Sequence, residues 1–341
     1  MKAITLRQHG GPEVLRLEEL PDPVPGPGEV RVRVAACALN RLDVWVRNGL
    51  PHLKLAYPFI LGSDVAGTVD GVGPGVRNAK DGDEVVLSPG TSCGTCRECL
   101  SGRDNLCRGY GILGETRDGG YADFVVVPAQ NLLPAPKGLS PALRAAVPLT
   151  FLTAWQMLVE KARVQPGEVV LIHAAGSGVG SAAIQIARLH GAEVIATASG
   201  DHKLEKARAL GAQHTVRSGD GVLDEVKRVT GKRGVDVVFE HTGAATWTQS
   251  ILACARGGRI VTCGATSGFD ARTDLRHVFF RQIQILGSTM GSKGSLFTIL
   301  DHVAAGRLQP VLDRTFPLAE AAAAHRRLED RAQFGKLVLQ T

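Results

Sequence analysis

Apolar and polar positions along this chain change rhythm twice. From Met1 to about Thr150, short alternating apolar runs are broken by Gly and Pro, as in Val30-Arg31-Val32-Arg33-Val34, Asp83 to Leu87 and Tyr121 to Val127. Alternation at period two, punctuated by turn residues such as those of Pro21 to Gly28, predicts half-buried strands in a barrel-like or sandwich-like region. From about Phe151 the rhythm becomes strand, glycine turn, helix. Glu168 to His173 is a continuous apolar run, followed by a helical pattern from Val179 to His190 that Gly191 closes. Glu193 to Ala198 is the next strand, then Lys203 to Leu210 a helix closed by Gly211. Val235 to Phe239, Arg259 to Cys263 and Gln284 to Ser288 continue the series. Strands apolar on both faces and alternating with helices imply a doubly wound parallel sheet. After about Met290 the pattern changes again, to a helix-like stretch (Leu296 to Ala305), an alanine-rich segment (Leu318 to Asp330) and a terminal strand, Lys336 to Gln340.

Length agrees with two regions, since 341 residues exceed one ordinary core at roughly 150 residues per domain. With 44% hydrophobic and 21% charged residues, the composition is globular and excludes a disordered chain. The formal charge of +6 suits anionic ligands, but the 39 basic residues are scattered, so nucleic acid is not indicated. Met1-Lys2-Ala3-Ile4-Thr5-Leu6 has no signal-peptide pattern, and no uncharged apolar run approaches the ~20 residues of a membrane span. A cytoplasmic protein without a membrane partner is expected, and in a reducing compartment a cysteine cluster reads as metal before disulfide.

The strand ending at His173 runs into Ala174-Ala175-Gly176-Ser177-Gly178-Val179-Gly180, which opens a helix. Small residues there let the backbone approach a pyrophosphate, whose charge meets free N–H groups at the helix N-terminus. The strict G-x-G-x-x-G spacing fails, because the sixth position from Gly176 is Ser181; Ala175, Ser177 and Gly180 form a small-residue variant. At the end of the second strand, an NAD site usually places a carboxylate on the ribose diol. Here that position is Ser199, with Lys203 close behind, a pair better suited to a 2′-phosphate; Asp201 nearby could still serve a ribose. NADP(H) is favoured over NAD(H).

Cys93, Cys96, Cys99 and Cys107 read C-x2-C-x2-C-x7-C. Four thiolates in one short loop can wrap a tetrahedral Zn²⁺, and a closed four-thiolate site is structural because no position remains for water or substrate. An Fe–S centre fits this spacing less well.

Together these residues resemble the medium-chain dehydrogenase/reductase superfamily, the zinc alcohol dehydrogenase and quinone oxidoreductase group. The resemblance runs through Gly62 to Val76 (GSDVAGTVDGVGPGV), the four-cysteine loop, the AAGSGVG turn, Val261-Thr262-Cys263-Gly264-Ala265 and Gly335-Lys336-Leu337-Val338. It implies an α/β fold: a GroES-like β-rich catalytic domain (1–150 and 290–341) with an inserted Rossmann domain (151–289) and an active-site cleft between them. It also implies homodimers or homotetramers, pairing through the sheet edge around Ile285 to Met290. Zinc-dependent members carry a catalytic zinc on three ligands. Those positions fall here on Asn40, on Ser63 of Gly62-Ser63-Asp64, and on Leu149 before Thr153-Ala154-Trp155. All three ligands are missing, and the proton relay falls on Leu42 and Trp45. A makeshift site would have to draw on Cys37, Asp64 and His52, a poor set beside thiolate and imidazole.

Without a Lewis acid, alcohol oxidation loses the term that stabilises the alkoxide. Hydride delivery to an already polarised acceptor, such as an enone, an enoyl thioester or a quinone, needs less: orientation and a donor to the growing oxyanion. The resemblance thus implies an NAD(P)H-dependent oxidoreductase of a small carbonyl-type substrate. Asn40 is the expected donor, Asp43 fixes its loop, and Thr153, Gly264 and Ala265 help hold the nicotinamide end. Trp45, Pro89 and Leu149 would wall the substrate. An alcohol dehydrogenase and a non-catalytic nucleotide-binding protein are the alternatives.

Overall fold

The alternating run around Val30 folds as the strand Glu29–Ala38, the centre of a seven-stranded sheet. The computed structural model describes residues 1–51 and 53–341, and chain contacts divide them into two units. The first comprises Met1–Leu149, Ser292–Gly306 and Pro310–Thr341. In its sheet, Glu29–Ala38 pairs antiparallel with Asp64–Val72, with Phe124–Pro128 and with the C-terminal strand Lys336–Gln340. Glu84–Leu87, Leu132–Pro134 and Leu312–Pro317 complete it. Alternate residues Val30, Val32 and Val34 are buried, in one core with Val65, Val69, Val85, Val125 and Leu339. Period-two patterning is therefore what this sheet spends on its core.

The second unit comprises Thr150–Gly291 and Arg307–Gln309. Its six strands are all parallel, in the order His214–Arg217, Glu193–Ala198, Val169–Ile172, Val235–Glu240, Cys254–Thr262 and Gln284–Gly287. In chain order this is 3-2-1-4-5-6, the doubly wound arrangement whose connection reverses beside the first strand. Val169, Leu171, Ile195, Val238 and Ile260 form its core. Cys254 is buried in that core, and burial pushes its thiol up to about 11, consistent with a small buried hydrophobe.

Several elements escape the sequence pattern. The strand His214–Arg217 and the helices Val222–Val229 and Leu275–Arg281 carry too many polar residues to register as apolar runs. One helical stretch, Pro141–Lys161, is apolar and long enough to cross a membrane by length and composition, but 83% of that window is buried inside the protein. Its apolar surface is already used as core.

Candidate functional site

The second unit forms the nucleotide-type turn from local sequence alone. Val169–Ile172 ends, Ala174 takes a left-handed φ of 46°, and the helix Gly178–Leu189 begins. Ser177 caps it, its hydroxyl accepting from Gly180 N at 2.9 Å. Ala175 N donates to Thr197 O at 2.8 Å, tying the turn to the next strand. Gly180 has no room for a side chain, since a Cβ would lie 2.6 Å from Ala174 O. The first-turn N–H groups of Gly178 and Val179 have no acceptor within the helix. This backbone cradle fits a dinucleotide pyrophosphate.

At the neighbouring strand ends a buried network shapes a second loop. Glu240 is 0% exposed and accepts from Thr242 N (2.7 Å), Gly243 N (3.0 Å), Thr246 Oγ1 (2.8 Å) and Ser250 Oγ (2.5 Å). Ser250 Oγ in turn accepts from His173 Nε2 at 3.0 Å, and burial holds the His173 imidazole down at about 4, so it is neutral. His173 and Glu240 therefore fix the two strand ends flanking the point where strand order reverses. In the sequence His173 only ends an apolar run, and Glu240 carries no signal of its own.

The ribose end looks different from its sequence. Ser199 is exposed, whereas Lys203 is 7% exposed and packed along the helix Asp201–Ala209. Asp201 is engaged by Arg217, whose Nε donates at 2.8 Å, and Arg217 lies across from Ala198 in register. Arg217 carries no signal in the sequence because its strand, His214–Arg217, is too polar to register. Gly264 and Ala265 follow Cys254–Thr262 in an open loop, and Thr153, in the helix Pro148–Trp155, is buried.

In the first unit the four cysteines converge. Sγ–Sγ separations are 3.5 Å (Cys96–Cys99), 3.6 Å (Cys107–Cys93) and 3.9 Å (Cys93–Cys99), and all four sulfurs lie within 4.8 Å of one another. Sulfurs ~2.3 Å from a tetrahedral metal would be about 3.8 Å apart. Backbone N–H groups of Thr95 and Cys96 pull the Cys93 thiol down to about 6, favouring the thiolate a metal needs. The cluster fits a structural zinc, and among the described residues no other group of three or more His, Cys, Asp or Glu is assembled to hold a metal.

The strands of the same unit bring a second group together. Val338 lies across from Ala38, and Ala38 across from Asp64. Continuing that register, with Leu39 N donating to Leu337 O at 2.8 Å, sets Lys336 opposite Asn40. Asn40, Asp64 and Lys336 thus share one face. Lys336 Nζ donates to Asn40 Oδ1 at 2.6 Å and to Asp64 Oδ2 at 2.8 Å. Asn40 Nδ2 donates to Asp64 Oδ2 (3.0 Å) and weakly to Ala38 O (3.4 Å), while Asp64 Oδ1 accepts from Leu149 N at 2.7 Å. Exposures are 6%, 0% and 4% for Asn40, Asp64 and Lys336. The amide expected to face an oxyanion is therefore already committed to Asp64, and nothing local in the sequence marks Lys336 as its partner.

Asp43 supports this group from behind. Fully buried, it accepts from Asn40 N (2.6 Å), Gly62 N (3.2 Å) and Tyr121 OH (3.1 Å), and burial pushes its carboxyl up to about 6. Cys37 faces the core across from Leu339, its thiol pushed well up by burial. Ser63 Oγ is buried without a partner among the described residues. His52 lies outside the described residues. Trp45 and Leu149 are half-buried, and Pro89 is buried.

Two family models match the chain: an alcohol dehydrogenase GroES-like domain over residues 26–137 and a zinc-binding dehydrogenase over residues 178–305. A quinone oxidoreductase from Rattus norvegicus is 30% identical over 99% of this chain and 97% of its own. A 2-haloacrylate reductase from a Burkholderia species is 33% identical, covering 99% and 98%. The crystal structure of an NAD-dependent alcohol dehydrogenase superposes with a TM-score of 0.97 at 56% identity, covering 100% of both chains.

Proposed function

Since this chain belongs to the medium-chain dehydrogenase/reductase superfamily and is an NAD(P)-dependent oxidoreductase, we propose that it reduces small, already polarised acceptors without a catalytic zinc. Enones, α,β-unsaturated acids or thioesters, and quinones are the substrate class. One observation carries this reading: the positions that would ligate a catalytic zinc do not fit one. Asn40 offers an amide, Ser63 a hydroxyl and Leu149 no donor side chain, and Asp64 is neutralised by the Lys336 ammonium 2.8 Å away. Zinc prefers thiolate and imidazole, and the Asp64 carboxylate is already taken.

The remaining roles follow from the residues present. Ala175 to Gly180 would hold the pyrophosphate, Ser199 and Lys203 with Arg217 the ribose end, and Thr153, Gly264 and Ala265 the nicotinamide end. The bound nicotinamide supplies the hydride. Cys93, Cys96, Cys99 and Cys107 would hold the structural zinc. NADP(H) is favoured because Ser199 stands where a ribose-binding carboxylate would be and Arg217 engages the nearby Asp201. Likeness to the 56%-identical NAD-dependent alcohol dehydrogenase supports a second reading, with the other coenzyme and an alcohol substrate. Exposed Leu275, Phe279 and Phe280, close in sequence to the edge strand Gln284–Gly287, support a homo-oligomer. Four thiols without a disulfide support a cytoplasmic location.

Metal analysis with a coenzyme and substrate panel tests the reading. Expected are one zinc per chain, NADPH bound at least about tenfold tighter than NADH, equivalent to ~1.4 kcal/mol, and turnover of 2-cyclohexen-1-one or a quinone above any alcohol. Two zincs per chain, or turnover of alcohols alone, would refute it. Tight NADPH binding with no turnover would make it a nucleotide-binding protein.

A further inference from the structure

We propose that His241 is a coenzyme-binding residue: the open nitrogen of its imidazole accepts a hydrogen bond from a hydroxyl of the nicotinamide ribose. The inference goes beyond the substrate reading above and rests only on the coenzyme being a nicotinamide dinucleotide.

The order of the strands carries it. An open parallel sheet takes its ligand at the carboxyl ends of its strands, where the order reverses. In the roles given above, Glu193–Ala198 and His214–Arg217 end at the adenosine ribose, and Val169–Ile172 leads into the pyrophosphate turn. Cys254–Thr262 leads into Gly264 and Ala265, at the nicotinamide. Val235–Glu240 lies between the last two, paired with Val169–Ile172 on one side and with Cys254–Thr262 on the other. Between its pyrophosphate and its nicotinamide ring a dinucleotide has a single piece, a ribose with its free hydroxyls. His241 is the first residue beyond Val235–Glu240, so it stands where that sugar crosses the sheet.

The ring presents an acceptor there. Its Nε2 lies 2.8 Å from the carbonyl oxygen of His173, which can only accept, so Nε2 carries the proton. Burial holds the imidazole below its usual range; it is neutral at pH 7, with a lone pair on Nδ1. No donor to that nitrogen appears among the described residues. His173, by contrast, is buried and spends its Nε2 on Ser250. His241 is half-buried, like Ala174, Ser177 and Gly264 along the same edge of the sheet, so a ligand on this edge can reach it.

Its place is fixed from both sides. The bond to His173 O ties the ring to the strand that opens the pyrophosphate turn. Phe239, two residues earlier on the same face, packs against it edge to face, with ring centroids 5.7 Å apart. Thr266 Oγ1 donates to His241 O at 3.3 Å and Ser267 N to Thr242 O at 2.7 Å, hooking the loop that carries Gly264 and Ala265 to the same residues. An acceptor held this way costs little further ordering when the ribose arrives.

Fragments of the coenzyme isolate the sugar. 2′,5′-ADP ends before it, 2′-phospho-ADP-ribose includes it, and NADPH adds the ring. His241→Leu keeps the bulk and removes both nitrogens. By calorimetric titration its affinity should be lower by about three- to tenfold for NADPH and for 2′-phospho-ADP-ribose, and unchanged for 2′,5′-ADP. His241→Gln, with an amide N–H for His173 O and an amide oxygen in place of Nδ1, should recover part of the loss. A loss on NADPH alone would assign the contact to the nicotinamide, and an equal loss on all three ligands would reduce His241 to shaping the strand end. Either result, or no loss at all, would overturn the proposal.

The unmodified protein supplies a test that does not depend on how the variants fold. An NADPH analogue lacking the hydroxyls of the nicotinamide ribose should bind it at least about three- to tenfold more weakly than NADPH. Equal binding would overturn the proposal, as would a penalty that is undiminished in a folded His241→Leu. No acceptor substrate is present, so these titrations stand whether or not enones and quinones are turned over. If NAD(H) is the tighter coenzyme, NADH, ADP-ribose and AMP replace the three ligands and read the same contact.

Discussion

Replacing His325 should flatten the dependence of stability on pH. His325 is 0% exposed and sits in a one-way chain of hydrogen bonds. Arg47 Nη1 donates to its Nδ1 at 3.0 Å, so the proton is on Nε2, which donates to the Tyr121 hydroxyl oxygen at 3.3 Å; that hydroxyl then donates to Asp43 Oδ2. Protonating the ring would place an N–H against the Arg47 guanidinium. Burial first, then Arg47 and Arg41, hold this imidazole down at about 3. A free histidine titrates near ~6.5, so below that pH protons favour the unfolded chain. The stability His325 contributes is complete above ~6.5 and drains as pH falls toward 3. Between pH 7.5 and 5.0 the loss is about 2 kcal/mol by linkage. Asp43 acts in the opposite sense. Its folded carboxyl, raised to about 6, lies above the ~3.9 of free aspartate, so falling pH returns about 1 kcal/mol over the same range. A variant comparison isolates the histidine. Native-state hydrogen exchange of the helix Ala321–Glu329, corrected for the intrinsic pH effect, reads this unit separately from the other. In His325→Gln the difference in stability between pH 7.5 and 5.0 should be about 2 kcal/mol smaller than in the unmodified protein. An equal difference in both would refute the neutral, directionally bonded histidine.

Cys93→Ser should drop zinc from about one per chain to near zero and raise amide exchange across residues 93–107, leaving the strand Glu29–Ala38 protected; loss of zinc without loss of protection would show the loop folds unaided. Gly180→Ala puts a methyl 2.6 Å from Ala174 O, so strand and helix must part; calorimetric NADPH titration should show affinity lower by about tenfold or more, with stability lower by about 1–3 kcal/mol. Phe279→Ser/Phe280→Ser removes two side chains that are 61% and 66% exposed; sedimentation velocity should show a shift toward monomer with coenzyme affinity kept.

What the sequence discloses here depends on how far apart the interacting residues lie. The glycine turn is legible because strand, cap and helix start fall within twelve residues, and each leaves a local signature: apolar run, Ser177, small residues to Gly180. The cysteine cluster is legible for the same reason, since one loop carries all four sulfurs. Arg217 and the Leu275–Arg281 helix are harder, because partial exposure dilutes the apolar pattern that marks an element.

Lys336 is illegible for a different reason. In Gly335-Lys336-Leu337-Val338 it reads as an ordinary polar residue at a strand start, and its partners Asn40 and Asp64 lie 296 and 272 positions away. The sequence does show what is missing, because Asn40, Ser63 and Leu149 stand where metal ligands would. It does not show what balances Asp64, because that answer depends on which strand pairs with which. A buried Asp64 without a metal must find a cation, since an unpaired carboxylate in a dry core is too costly to keep. Electrostatics therefore demands a partner from somewhere in the chain, and the antiparallel return of Lys336–Gln340 beside Glu29–Ala38 decides that it is Lys336.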